Sequence, residues 1–220
     1  MRAATLVLLL AVTLGIGACT ALSLVSTGIN VVSALSGHAD DANVKQVAEL
    51  EARRDWQGML KVATDNIKRD PNNHDWWLIA GFSHSQMAQH AQAIPFYQTV
   101  IRLRPDDIYS WNLLAQSYRS LNEPERAIRT LEQALLIKSD SATSYFLLGE
   151  SFRDINLYDR AAPNYASAAG IAPGMAEAWY GLGVSYARLG RRIELPLIVE
   201  RLRRLNPALA AQLEQLSAPR

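Results

Sequence analysis

The side chains able to do chemistry in this sequence are few. There is one cysteine, Cys19, and there are four histidines: His38, His74, His84 and His90. A zinc site on a helix needs two ligands four apart, and no His-x-x-x-His or cysteine cluster supplies them. His84 and His90 are six residues apart, which places them on different faces of one helix or on two helices. Gly181-Leu182-Gly183 echoes a phosphate-binding turn, but it sits inside a helical pattern and lacks the strand that must precede one. The many serines have no partnered base and no nucleophile signature around them. Asp40-Asp41 and Arg191-Arg192 read as solvated loop charges. The sequence therefore predicts no enzyme, no metal site and no cofactor.

The elements that could position any site must come from the rest of the 220 residues. Hydrophobic residues make up 49% and charged residues 20%, which allows a packed core. Twenty-two basic residues against 21 acidic ones argue against a nucleic-acid binder, which carries a basic excess. A lone cysteine excludes an intramolecular disulfide, so packing alone must hold the fold.

Ala3 to Ala39 carry no Asp, Glu, Lys or Arg. Arg2 gives a positive start, Ala3 to Gly15 an apolar run around Leu8-Leu9-Leu10, and Gly15, Gly17 and Ala18 small residues after it. This is the layout of a bacterial export signal. Leu14-Gly15-Ile16-Gly17-Ala18-Cys19 resembles the lipobox of bacterial lipoproteins. That resemblance implies cleavage of residues 1–18, acylation of Cys19 and firm membrane anchoring. Thr20, following Cys19, implies sorting to the outer membrane with the chain facing the periplasm. A soluble secreted chain with Cys19 incidental, and an uncleaved anchor over Ala3 to Val25, are the alternatives. Residues 19–39 read as a tether, with a short amphipathic segment from Leu22 to Leu35.

A fixed step of 34 residues runs through the remainder. Pro71, Pro105, Pro173 and Pro207 obey it, with Ser139 in the missing slot. So do Trp77, Trp111, Tyr145 and Trp179, and then Ala80, Leu114, Leu148 and Leu182. Gly81, Ala115, Gly149 and Gly183 follow at once. His84, Tyr118, Phe152 and Tyr186 continue the series, which makes His84 a packing position. Ala93, Ala127, Ala161 and Leu195 come later, then Tyr97, Leu131, Tyr165 and Val199. Within each unit these residues fall at helical spacing. Small residues let two helices approach, an aromatic fills the wedge beside them, and proline ends the second helix. Pro95 and Pro163 lie inside second helices and are expected to kink them.

At these positions the chain resembles the tetratricopeptide repeat family. The resemblance implies an all-α, right-handed superhelix of helix-turn-helix units over residues 74–209. A degenerate first repeat would cover 40–73, and a C-terminal capping helix and tail 208–220. It also implies an interaction scaffold with a concave face lined by the first helix of each unit. Mapped onto this chain, the candidate groove residues are Asp75, Leu78, Phe82, Tyr109, Asn112, Gln116, Arg119, Phe146, Glu150, Arg153, Tyr180 and Arg188. Asn112 and Gln116 are expected to bond a peptide backbone, and Arg119 and Arg153 acidic groups. The clamp used by cochaperones of this family is absent, because Leu78, Phe82, Leu113, Thr143 and Leu147 fill its positions.

The expected function is thus a lipid-anchored adaptor with a protein or peptide partner in the cell envelope. Lipoproteins of similar build act as pilotins in pilus or secretion assembly. A regulatory scaffold for peptidoglycan hydrolases or envelope proteases is the alternative.

Overall fold

The computed structural model describes residues 41–217. The segments expected to be an export signal and a tether, with Cys19, lie outside them, as does Asp40. Among the described residues there are eleven α-helices and no strand. They alternate as close antiparallel pairs: α1 (Asp41–Ala52) with α2 (Trp56–Arg69), α3 (His74–Gln86) with α4 (His90–Leu103), and α5 (Ile108–Ser120) with α6 (Pro124–Ile137). Then follow α7 (Ala142–Asp154) with α8 (Tyr158–Ile171), α9 (Ala176–Arg188) with α10 (Leu195–Leu205), and finally α11 (Pro207–Ser217). Each second helix also packs on the first helix of the next pair, so the pairs stack in series.

The repeat positions predicted to pack are the ones that pack. Ala93, Ala127 and Ala161 are fully buried, as are Tyr97, Leu131 and Tyr165. Glycine is needed where a tyrosine lies flat on a helix. A methyl group on Gly149 would lie 2.9 Å from the Tyr165 ring, and one on Gly181 2.5 Å from it. Tyr165 of α8 is thus sandwiched between α7 and α9, and Tyr97 lies against Gly81 in the same way.

The proline and tryptophan ladders prove to be one device. The indole Nε1 of Trp77 donates to the Pro71 carbonyl at 2.9 Å, Trp111 to Pro105 at 2.9 Å, and Trp179 to Pro173 at 3.0 Å. Proline stops one unit, and its carbonyl fixes the first helix of the next. Pro95 and Pro163 do not interrupt their helices: α4 and α8 each run fourteen residues through them. Both prolines are exposed, so the missing N–H lies on the solvent side of the helix.

Every turn inside a pair is made by one left-handed residue, at the same step of 34: Arg54, Ala88, Asn122, Asn156 and Gly190. In each, the next amide reaches back to the first helix, as Glu123 N to Tyr118 O at 2.9 Å. This is the glycine-type helix stop. Asn and Gly tolerate the conformation, whereas arginine and alanine are strained in it. Ala88→Gly should therefore raise stability by about 1 kcal/mol, read as a higher urea midpoint at unchanged slope.

At the C-terminal end, Asn206 Oδ1 caps α11 by accepting from the Leu209 amide at 3.3 Å. Ala210 and Leu213 of α11 are buried, with Leu213 seated on Gly183 of α9. No helix among the described residues is long and apolar enough to cross a membrane.

Candidate peptide-binding groove

The first helices of successive pairs touch one another directly: α3 meets α5, α5 meets α7 and α7 meets α9. In a curved stack the closely spaced layer is the inner one. These helices therefore line the concave face. One bond marks the contact, from Ser144 Oγ of α7 to Asn112 Oδ1 of α5 at 2.8 Å.

The twelve candidate residues separate into three groups on this face. Tyr109, Gln116, Phe146 and Tyr180 are half-exposed and contributed by three first helices, α5, α7 and α9, while Arg188 is exposed at the end of α9. Asp75, Leu78, Phe82 and Asn112 are buried. Phe82 is covered by Trp56 in an edge-to-face contact at 6.0 Å between ring centres. Asn112, expected to bond a peptide backbone, instead spends its oxygen on Ser144. Asp75 is fully buried against His74, whose Nδ1 lies 3.2 Å from the Asp75 carboxylate.

The third group is a polar knot. Glu150 is 4% exposed and holds three donors. Arg153 Nη2 donates to its Oε2 at 2.6 Å, Arg119 Nη2 to the same oxygen at 3.2 Å, and Tyr165 OH to its Oε1 at 2.5 Å. Arg119 Nε also donates to Asp154 Oδ2 at 2.8 Å. Arg119 and Arg153, expected to meet acidic groups of a ligand, are thus paired within the chain. The reason is the superhelix itself. It sets Arg119 at the end of α5 beside Glu150 and Asp154 on the neighbouring α7. Burial works against the Arg119 charge, but the bond to Asp154 and the nearby Glu150 hold its pKa above the ordinary value.

Two tyrosine hydroxyls reach this layer from below. Tyr165 meets Glu150, and Tyr97 OH lies 2.9 Å from Ser85 Oγ. Burial pushes the pKa of both far up, and the negative charge of Glu150 adds to the effect at Tyr165. Tyr109 is pushed up to about 12, by burial first and then by Asp107 and Glu51.

His74 and His84 are both held in contacts within the chain. His74 Nε2 faces Arg104 Nη1 at 3.0 Å. A guanidinium only donates, so Nε2 accepts and the ring proton sits on Nδ1, toward Asp75. The base nitrogen of the Asp75–His74 pair is thereby occupied. His84 Nδ1 pairs with Gln89 Oε1 at 2.7 Å, and its ring lies 5.2 Å from that of Phe96. No group of three His, Cys, Asp or Glu side chains among the described residues could hold a metal ion.

A family model for the tetratricopeptide repeat matches residues 80–144, 112–176 and 146–191, together just over half of the chain. The chain belongs to the tetratricopeptide repeat family. Members of the family are protein-interaction scaffolds. No curated protein sequence matches the chain. Solved structures of the same fold include MamA, at 21% identity and a TM-score of 0.65 over 77% of this chain and 94% of that one. YrrB, described as a tetratricopeptide protein with an unusual peptide-binding site, aligns at 17% identity and TM-score 0.62, over 84% and 97%. TTC0263, a thermophilic tetratricopeptide protein of Thermus thermophilus, aligns at 15% and 0.63, over 81% and 98%. These likenesses establish the right-handed α-α solenoid.

Proposed function

We propose that this chain is a lipid-anchored adaptor of the bacterial envelope, facing the periplasm from the outer membrane. It holds a protein segment on its inner face during assembly of a pilus or secretion machine. The observation that carries the groove reading is the row Tyr109, Gln116, Phe146 and Tyr180. These are half-exposed side chains from successive first helices, on the face where the other candidates, Arg188 apart, are buried or already paired. Rigid aromatics with an adjacent amide suit an extended or helical peptide, since they offer apolar area at small entropic cost. The peptide-binding site named for YrrB agrees with such a use. The lipobox-like run ending at Cys19 supports the anchor.

The test is crosslinking and capture from membranes, with mass spectrometry of bait and prey. Wild type is compared with Cys19→Ser and with Tyr109→Ala/Phe146→Ala/Tyr180→Ala. A triacylated Cys19 and a pore or pilus subunit as main prey are expected. The groove variant should lose capture by about tenfold or more, as aromatic hot spots do. Undiminished capture by that variant would overturn the groove reading. A cell-wall hydrolase as main prey would replace the assembly role by the regulatory one, and an unmodified Cys19 would remove the anchor.

A further inference from the structure

The last unit breaks the repeat on its solvent side. At one exposed position the earlier units carry Ala91, Glu125 and Asp159, and the last carries Ile193. Four residues on they carry Pro95, Arg129 and Pro163, and the last carries Leu197. Ile193 sits in the 3-10 turn Arg192–Glu194 that leads directly into α10, and Leu197 in the first turn of α10. They are 94% and 77% exposed. A helix needs neither residue for packing there, because Leu195, Ile198, Val199 and Leu202 already fill the buried face of α10.

The same segment gathers positive charge. Residues 188–204 contain six arginines and two glutamates, in a chain whose net charge is +1. Arg191 pairs with Glu194 at 2.6 Å, and Arg204 with Glu200 at 3.0 Å. Arg192 and Arg201, on either side of the apolar pair, have no carboxylate within ion-pair distance among the described residues. The Arg201 guanidinium stands 5.4 Å from the Trp179 ring centre.

We propose that this end of the solenoid docks on an anionic lipid bilayer. Ile193 and Leu197 enter the headgroup boundary while Arg192 and Arg201 meet lipid phosphates around them. Two outstanding aliphatic side chains flanked in sequence by unpaired arginines match an interfacial surface, which is apolar below and negative around. The proposal is independent of the concave face and of Cys19.

The test uses the full chain in a Cys19→Ser background, with a polarity-sensitive fluorophore on Ile193→Cys. The control carries it on Leu136→Cys, in an exposed residue of α6. Vesicles of phosphatidylcholine alone are compared with vesicles containing phosphatidylglycerol. A blue shift at 193 on the anionic vesicles, absent at 136, is expected. Adding Arg192→Glu/Arg201→Glu should shrink it about fivefold or more. The local probe separates this contact from insertion of the apolar N-terminal segment. No shift at 193, or equal shifts at 193 and 136, would overturn the proposal. A shift with soluble polyglutamate and none with vesicles would assign the surface to an acidic protein instead.

Discussion

Replacing Glu150 with alanine should destabilise the fold by about 3–5 kcal/mol, the usual cost of removing one partner from a buried charge cluster. The truncation leaves Arg153 without its 2.6 Å partner and the Tyr165 hydroxyl without an acceptor in a fully buried position. Arg119 keeps Asp154 and loses its second carboxylate. Tyr165 cannot move away, because Gly149 and Gly181 hold its ring on both sides. Glu150→Gln retains the shape and one acceptor, so it should cost less, about 2 kcal/mol. Thermal unfolding followed by circular dichroism reads both. For a domain of this size the alanine variant should melt about 10 °C lower. A loss within about 0–1 kcal/mol, as for an exposed surface pair, would show that the knot is solvated and that Arg119 and Arg153 are available to a ligand after all.

That knot also marks what the sequence could and could not reveal. The step of 34 set the register, and the family resemblance then implied that Arg119, Glu150 and Arg153 lie on the inner face. It did not reveal that they bind one another. That pairing depends on how far one first helix slides and tilts past the next, a property of the superhelix. Trp77 and Pro71 were each legible as ladder positions, but the indole-to-carbonyl bond between them required the turn geometry. The left-handed turn residues divide by type. Asn122, Asn156 and Gly190 advertise the conformation, while Arg54 and Ala88 adopt it only because the two helices they join are fixed by packing. Burial of Leu78 and Phe82 was hidden for a related reason. Their positions line the groove in the family, but here Trp56 of the preceding pair lies over Phe82.

The second large effect lies at high pH. Tyr97, Tyr109 and Tyr165 all have folded pKa values above the ordinary value near 10. A raised pKa means that the folded state keeps protons the unfolded chain would release. The stabilisation is complete below the unfolded value and is lost as the pH rises above it. Each group should remove about 1.4 kcal/mol per pH unit above about pH 10. By about pH 11.5 the three together remove about 6 kcal/mol, comparable with the whole stability of a domain. Alkaline unfolding should therefore be cooperative. Tyrosinate absorbance from Tyr97 and Tyr165 should appear with the loss of helical ellipticity and not before it. Tyr97→Phe isolates one contribution, since it removes the hydroxyl and its bond to Ser85 but keeps the ring against Gly81. Its stability should fall less steeply with pH, by about 1.4 kcal/mol per unit. An unchanged slope would mean that Tyr97 ionises freely in the folded chain. In that event the ring, pressed on glycine, would be open to solvent at its hydroxyl, and the inner face would reach deeper between α3 and α4 than the burial of Tyr97 allows.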